Sequence, residues 1–186
     1  MTARDDSDIL QDLKHDPDAF GELYEKYVDR IYSYIYHRVG NVHDAEDLTS
    51  RTFFRALSHI STYQDMGLPF SAWLYRIAHN LMANWHRDRG RRPLVALEQV
   101  ILRSEGRHQN PEAFTLTSDD AQHLLTVIRQ LDSPRQELLV LKFIENLSNA
   151  EIGAIMGRTE GAIKSLYHRT LLALRRDLTK KGLDLE

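Results

Sequence analysis

Residues Leu147–Arg175 read LSNAEIGAIMGRTEGAIKSLYHRTLLALR, and how this stretch divides into helices decides the fold. Ser148-Asn149-Ala150-Glu151 has the Ser-x-x-Glu form of a capping box, in which hydroxyl and carboxylate each accept a backbone N–H at a helix start. The helix begun there has room for barely two turns. Gly157 follows Met156, and glycine tolerates the left-handed backbone that stops a helix. Thr159 then starts a longer helix running to about Leu178. Gly153 falls where the two helices cross, and any larger side chain there would push them apart. Ile163 and Leu166 supply the underside of the second helix, packing on Ile152 and Ile155. A short helix, a glycine turn and a longer helix with an apolar underside are the parts of a helix-turn-helix. Arg158 lies in the turn, and the outer face of the second helix presents Glu160, Lys164, Ser165, His168 and Arg169. Such a polar surface fits a major groove, its Lys and Arg suited to phosphates and guanine edges. A plain helical hairpin in a bundle is the competing reading; the spacing and the basic outer face favour DNA.

Toward the N-terminus the helical period continues. Ala121, Leu124, Leu125, Ile128 and Leu131 form one stripe. Ser133-Pro134-Arg135-Gln136 predicts a capped start with Pro134 at the first helical position, followed by Leu138, Leu139, Leu141 and Phe143. Residues 88–118 lose the period, with Gly90, Pro93, Gly106 and Pro111 among mixed charges and only a short amphipathic piece around Leu94–Leu102. So long a connection is uncommon inside one compact domain, so a boundary is expected here. Before it, Asp16-Pro17 opens a helix whose stripe is Phe20, Leu23, Tyr24, Tyr27, Ile31, Tyr34 and Ile35, closed by Gly40. A second helix spans about His43 to Ile60, with Ala45, Leu48, Phe53, Ala56, Leu57 and Ile60 inward. After a loop at 61–69, a third runs from about Phe70 to Arg87 on Trp73, Leu74, Ile77, Ala78, Leu81 and Trp85. No strand-like alternation occurs. The expected fold is all-α: two small helical domains, 1–92 and 119–186, joined by a flexible linker at 93–118, the second containing the helix-turn-helix.

Composition bounds what such a chain can do. Its 186 residues contain no cysteine, which excludes disulfide scaffolds and thiolate chemistry. The N-terminus MTARDDSDIL has no signal-peptide pattern, and no segment is apolar enough to span a bilayer, so the expected location is cytoplasmic with no direct membrane insertion. Net charge is −3, an unpromising total for a protein that holds DNA alone. The charge is segregated: residues 1–29 carry a net −6, residues 75–92 a net +4 and residues 158–181 a net +5. Two basic islands therefore sit on an acidic chain.

The first island lies on the third helix, where Arg76, Asn80, Asn84 and Arg87 share a face that Arg89, Arg91 and Arg92 extend. Tyr63, Phe70, Trp73, Tyr75 and Trp85 lie close by. Basic groups among aromatics suit single-stranded DNA, where phosphates meet Arg and bases stack on rings. The tryptophans fall on the apolar stripe, so Tyr63 and the 61–69 loop are the expected contact to a base. Asp44, Glu46 and Asp47 open the second helix; they either complement its dipole or meet a basic partner helix. The nine histidines form no ligand set at a usual spacing, and no hydrolase, nucleotide-binding or metalloprotease motif is present. No catalytic residue, metal or cofactor is expected, and the chain does not read as an enzyme.

Three stretches in order, DAEDLTSRTFFRAL (Asp44–Leu57), FSAWLYRIAHN (Phe70–Asn80) and the helix-turn-helix, resemble the bacterial RNA polymerase sigma factors, and the short two-domain form resembles their extracytoplasmic-function group. The resemblance spans roughly residues 18–178. It implies a factor that binds core RNA polymerase and promoter DNA, directs promoter-specific initiation and assists strand opening. It implies polymerase docking through Asp44, Glu46, Asp47, Leu48 and Thr49. It implies reading and melting of the downstream (−10) element by Tyr63, Arg76, Asn80, Asn84, Arg87 and Arg91. Reading of the upstream (−35) element falls to Arg158, Glu160, Lys164, Ser165, His168 and Arg169. Many members of the group are held inactive by an anti-sigma factor. A stand-alone dimeric helix-turn-helix regulator is the alternative, with residues 1–92 as its dimerisation or ligand module.

Overall fold

A computed structural model describes residues 4–13, 15–65, 67–89 and 118–180. Among them the regular structure is helical: α1 (Asp6–Asp12), α2 (Phe20–Val39), α3 (Val42–His59), α4 (Phe70–Arg89), α5 (Ser118–Gln130), α6 (Ser133–Leu139), α7 (Asn149–Met156) and α8 (Glu160–Thr179). Of the expected linker at 93–118, residues 93–117 lie outside the described residues, as do its amphipathic piece and Arg91, whereas Ser118 opens α5.

In the N-terminal half the local signals operate as expected. The Asp16 carboxylate accepts the Asp18 N–H at 3.0 Å, and Pro17 opens a 3₁₀ turn that leads into α2. Gly40 ends α2 at φ 69°, and the Asn41 side chain then caps α3 by accepting the Asp44 N–H at 3.0 Å. Helices α2, α3 and α4 pack against one another around Leu23, Ile31, Leu48, Ala56, Leu74 and Ala78. Two details differ from the periodicity. Residues 6–12 form a helix of their own, α1, held on α2 by buried Ile9, by a Lys26–Asp6 ion pair at 2.7 Å and by the Tyr27 hydroxyl, which donates to Asp6 at 2.5 Å. Leu57 does not point inward: it is exposed beside Phe54, and Ile60 is only half-buried.

The C-terminal half departs from its sequence reading at one cap. Asp132, not Ser133, caps α6, its carboxylate accepting the Arg135 N–H at 3.1 Å. Gln136 is therefore free of a capping role. It is buried, and its amide donates to the Ile128 and Arg129 carbonyls at 3.1 and 3.2 Å, tying the end of α5 to α6. After α6 the chain widens into a π turn, Val140–Ile144, in which the Glu145 N–H reaches the Val140 carbonyl at 3.2 Å. The Ser148/Glu151 capping box is reciprocal, with bonds of 3.2 and 2.7 Å, and Thr159 caps α8. Gly157 takes φ 64°.

The halves touch. Helix α4 packs along α7, α2 meets the π turn, and buried apolar residues of both halves join in one cluster.

At the crossing of α7 and the turn, a Cβ placed on Gly153 would stand 2.6 Å from the Arg158 carbonyl oxygen, whereas one on Gly161 meets nothing within 4 Å. Gly153→Ala should therefore destabilise the protein by about 1–3 kcal/mol through overpacking against backbone. Gly161→Ala should stabilise it by up to about 1 kcal/mol through helix propensity. Urea denaturation of the two variants checks the contrast.

Candidate nucleic-acid interface

Two polar surfaces follow from this packing. On α4 the apolar stripe is consumed by α2, α3 and α7, which leaves Arg76, Asn80, Asn84 and Arg87 all exposed along one side. The ring expected to meet a base, Tyr63, is half-buried. It packs edge-on against Phe70, with centroids 5.3 Å apart, and lies 5.1 Å from Trp73. Burial raises the Tyr63 hydroxyl pKa, with help from Asp65 and Asp6, so it is a neutral donor at physiological pH. Tyr63 and Trp73 thus belong to one aromatic cluster at the start of α4, which the division of loop tyrosine from core tryptophan did not foresee.

The second surface is the outer face of α8. With Ile163 and Leu166 buried underneath, Glu160, Lys164, Ser165, His168 and Arg169 are exposed, together with Arg158 in the turn. Glu160 and Lys164 pair at 2.8 Å one turn apart. The Ser165 hydroxyl donates back to the Gly161 carbonyl at 3.0 Å, and Arg169 Nε donates to the Ser165 carbonyl at 3.2 Å. These contacts are weak and exposed, so a nucleic acid can displace them at little cost.

The acidic start of α3 divides in two. Glu46 and Asp47 are exposed, Asp47 pairing with Arg51 at 3.3 Å. Asp44 is half-buried and accepts the Trp85 indole N–H at 3.4 Å. Leu48 and Thr49 are core residues, the Thr49 hydroxyl donating to the Ala45 carbonyl at 2.7 Å. They fall on the inward stripe and seat the helix. Sequence reasoning missed the apolar part of the surface: Phe54 is 71% exposed, one helical face along from Asp47 and Arg51, with Leu57 and Tyr24 exposed as well. The signal was available, since Phe53 and Phe54 in succession cannot both face the core of one helix.

The contact between the halves carries a polar site that periodicity could not show. Glu137 on α6 is buried, and every side chain that engages it comes from the N-terminal half. The Tyr34 hydroxyl donates to it at 2.6 Å, His79 Nδ1 lies 2.6 Å away, and Arg38 approaches at 3.6 Å while bonding the Ser133 hydroxyl at 3.1 Å. Beside it the Tyr75 hydroxyl donates to buried Glu145, and Arg30 lies over the Tyr75 ring. Burial pushes the Glu137 carboxyl pKa up, but the His79 hydrogen bond, the Arg38 charge and the Tyr34 hydroxyl outweigh it and hold the group below the usual carboxylate range. Burial likewise raises Tyr34 and Tyr75, keeping both hydroxyls protonated as donors. Among the described residues no cluster of side chains suits a metal ion, and no helix is long and apolar enough to cross a membrane.

Fold and surfaces together define an all-helical protein with two exposed polar faces: the outer face of a helix-turn-helix, and a basic helix with an aromatic cluster at its start. The chain matches Sigma-70 region 2 over residues 23–92 and Sigma-70 region 4 over residues 121–174. It is 43% identical over 159 residues to the ECF RNA polymerase sigma factor BldN of Streptomyces coelicolor, covering 86% of this chain and 60% of that protein. It is 35% identical over 179 residues to the ECF sigma factor SigW of Bacillus subtilis, covering 91% of this chain and 94% of that one. The chain belongs to this family: it is a sigma factor of the extracytoplasmic-function group, the class that carries promoter-specific transcription initiation. Two solved structures share the fold. One is CnrH in complex with the cytosolic domain of CnrY, with a TM-score of 0.60 and 23% identity over 92% of this chain and 95% of that one. The other is the sigma factor RpoE in complex with the anti-sigma factor NepR from Bartonella quintana, with a TM-score of 0.61 and 22% identity over 87% of this chain and 98% of that one.

Because the folded pKa of Glu137 is depressed, its contribution to stability is complete above the unfolded value of about 4.3 and is lost as pH falls through the folded value. Stability measured by urea denaturation should therefore fall on acidification below about pH 4.3. Glu137→Gln should flatten that fall and lower stability at pH 7, since Arg38 would lose its partner charge.

Proposed function

We propose that this chain binds core RNA polymerase and uses its two surfaces on the two elements of a promoter, α4 on the downstream element and α8 on the upstream one. The observation that carries this reading is the pairing, in one chain and in the order of the family, of an exposed Arg76/Asn80/Asn84/Arg87 face with a helix-turn-helix whose outer face is basic. Asp47 and Glu46 with exposed Phe54 and Leu57 form the docking surface for polymerase. An acidic rim beside an apolar centre suits a partner helix that is itself basic and amphipathic. Arg158, Glu160, Lys164, Ser165, His168 and Arg169 meet the upstream element. Tyr63, the α4 face and Arg91 meet the downstream one. The chain works in the cytoplasm, supplies no catalytic group of its own, and leaves nucleotide chemistry to polymerase. The anti-sigma factor seen with one structural neighbour makes a partner of that kind the natural regulator to seek.

Each basic island makes few phosphate contacts, and binding through such contacts falls steeply with salt. The net −6 on residues 1–29 adds repulsion. Free protein is therefore a weak promoter binder. Polymerase converts the second contact into an intramolecular one by holding both heads at the promoter spacing. Elements centred near −35 and −10 lie about 85 Å apart at 3.4 Å per base pair. Heads in contact through α4 and α7 cannot span that. The 28 residues between the described halves reach at most about 90–100 Å, so the connection suffices once the halves part. A stand-alone dimeric regulator is not favoured: both sigma regions are present in order.

In transcription with core polymerase, Arg169→Ala should weaken use of the upstream element by about 1–3 kcal/mol and leave polymerase binding unchanged. Asp47→Ala and Phe54→Ala should weaken polymerase binding and leave promoter preference unchanged, with Phe54→Ala costing about 2 kcal/mol as a buried anchor. Protein that neither co-migrates with core polymerase nor redirects its start sites would refute the function.

A further inference from the structure

Where α4 faces α6 and α7 the halves form a half-open cavity of about 510 Å³. Its charged and titratable walls are Arg38, His79, His86 and Arg87 from the N-terminal half and Glu137 and Arg158 from the C-terminal half. Three guanidinium groups and two imidazoles thus surround one carboxylate. That carboxylate is already engaged by Tyr34, His79 and Arg38. Arg87 pairs with its exposed neighbour Asp88 at 3.5 Å, a surface contact of little strength. Arg38 is 3% exposed and its terminal nitrogens reach Ser133 and Glu137, so it is spent on those groups and leaves Arg87 and Arg158 as the guanidinium groups open to the cavity. A cavity walled by three guanidinium groups, whose one carboxylate is already engaged, carries an excess of positive charge that suits an anion.

We propose that this cavity binds a small polyphosphate anion, of nucleoside diphosphate size, and that the bound protein is the closed one. The volume is that of sites for small organic molecules. Guanidinium groups take phosphate oxygens in bidentate pairs, and Arg87 and Arg158 reach the cavity from opposite halves. Met82 and Met156 give it an apolar wall of adaptable shape for an organic ring. Ligand groups from both halves come together only while α4 lies on α7, so an anion held there shifts the population toward the closed form. The consequence rests on the proposed function: Arg87 and Arg158 serve either the cavity or the promoter, and an occupied cavity keeps the two heads from separating.

Calorimetric titration of the full chain with inorganic pyrophosphate, at about 0.15 M NaCl to suppress general ionic binding, tests the site. One pyrophosphate per chain is expected, with a dissociation constant below about 1 mM. Ala83 is exposed and lines the cavity. Ala83→Glu should weaken binding at least about tenfold by adding a carboxylate, Ala83→Gln should retain it, and Arg87→Ala with Arg158→Ala should lose it. Circular dichroism establishes that each variant is helical. Heat of dilution alone, binding indifferent to Ala83→Glu, or equal loss in Ala83→Gln overturns the proposal. The titration contains neither polymerase nor DNA, so its failure leaves the sigma-factor reading intact, and failure to redirect polymerase leaves a positive titration standing.

Discussion

A single buried carboxylate conditions the arrangement of this protein. Glu137 sits on the C-terminal half, but Tyr34, Arg38 and His79, the side chains that engage it, all belong to the N-terminal half. An ionised carboxylate removed from water without partners is strongly unfavourable. The buried acid is therefore comfortable in only two situations: with the halves docked, or with the halves apart and the carboxylate hydrated. A closed form in which Tyr34 or Arg38 is displaced has neither compensation. The contact is thus close to all-or-none.

The same chemistry keeps the contact from being permanent. Buried ion pairs return little net free energy, because desolvation of both partners offsets their attraction. When α4 leaves α7, Glu137, Glu145, Arg38, Tyr34, Tyr75 and His79 all regain water. Beside the apolar cluster that the halves share, this polar part of the interface resembles the contacts between movable domains. That suits the proposed function, in which the two surfaces stand far apart on a promoter. By contrast, the helix-turn-helix is rigid for steric reasons: the Arg158 carbonyl fills the space where a side chain on residue 153 would go.

Much of this was legible in order along the chain. The capping box at Ser148, the glycine stop at Gly157, the cap at Thr159 and the close crossing at Gly153 are local devices, and each operates in the structure as its residues predict. The exposed α4 face of Arg76, Asn80, Asn84 and Arg87 followed from helical period alone. Misreadings arose where two neighbouring residues could do the same job or where one side chain had two possible uses. Asp132 outcompetes Ser133 as a cap because it also accepts the Arg135 N–H with a full charge, and Gln136 then serves the end of α5. Leu48 and Thr49 belong to the stretch expected to dock polymerase but lie on the inward side of α3.

Sequence by itself determined most of the helices, their ends and their polar faces, because those properties depend on neighbours within a few residues; α1, the Asp132 cap and the outward Leu57 are the exceptions. Tertiary structure alone decided that Glu137 meets Tyr34, Arg38 and His79, that Tyr63 joins Trp73 in one cluster, and that Arg87 and Arg158 border the same cavity. Those partners are separated by up to about a hundred residues. No periodicity within a helix records which distant surface will neutralise a charge; that is fixed only when packing removes the charge from water.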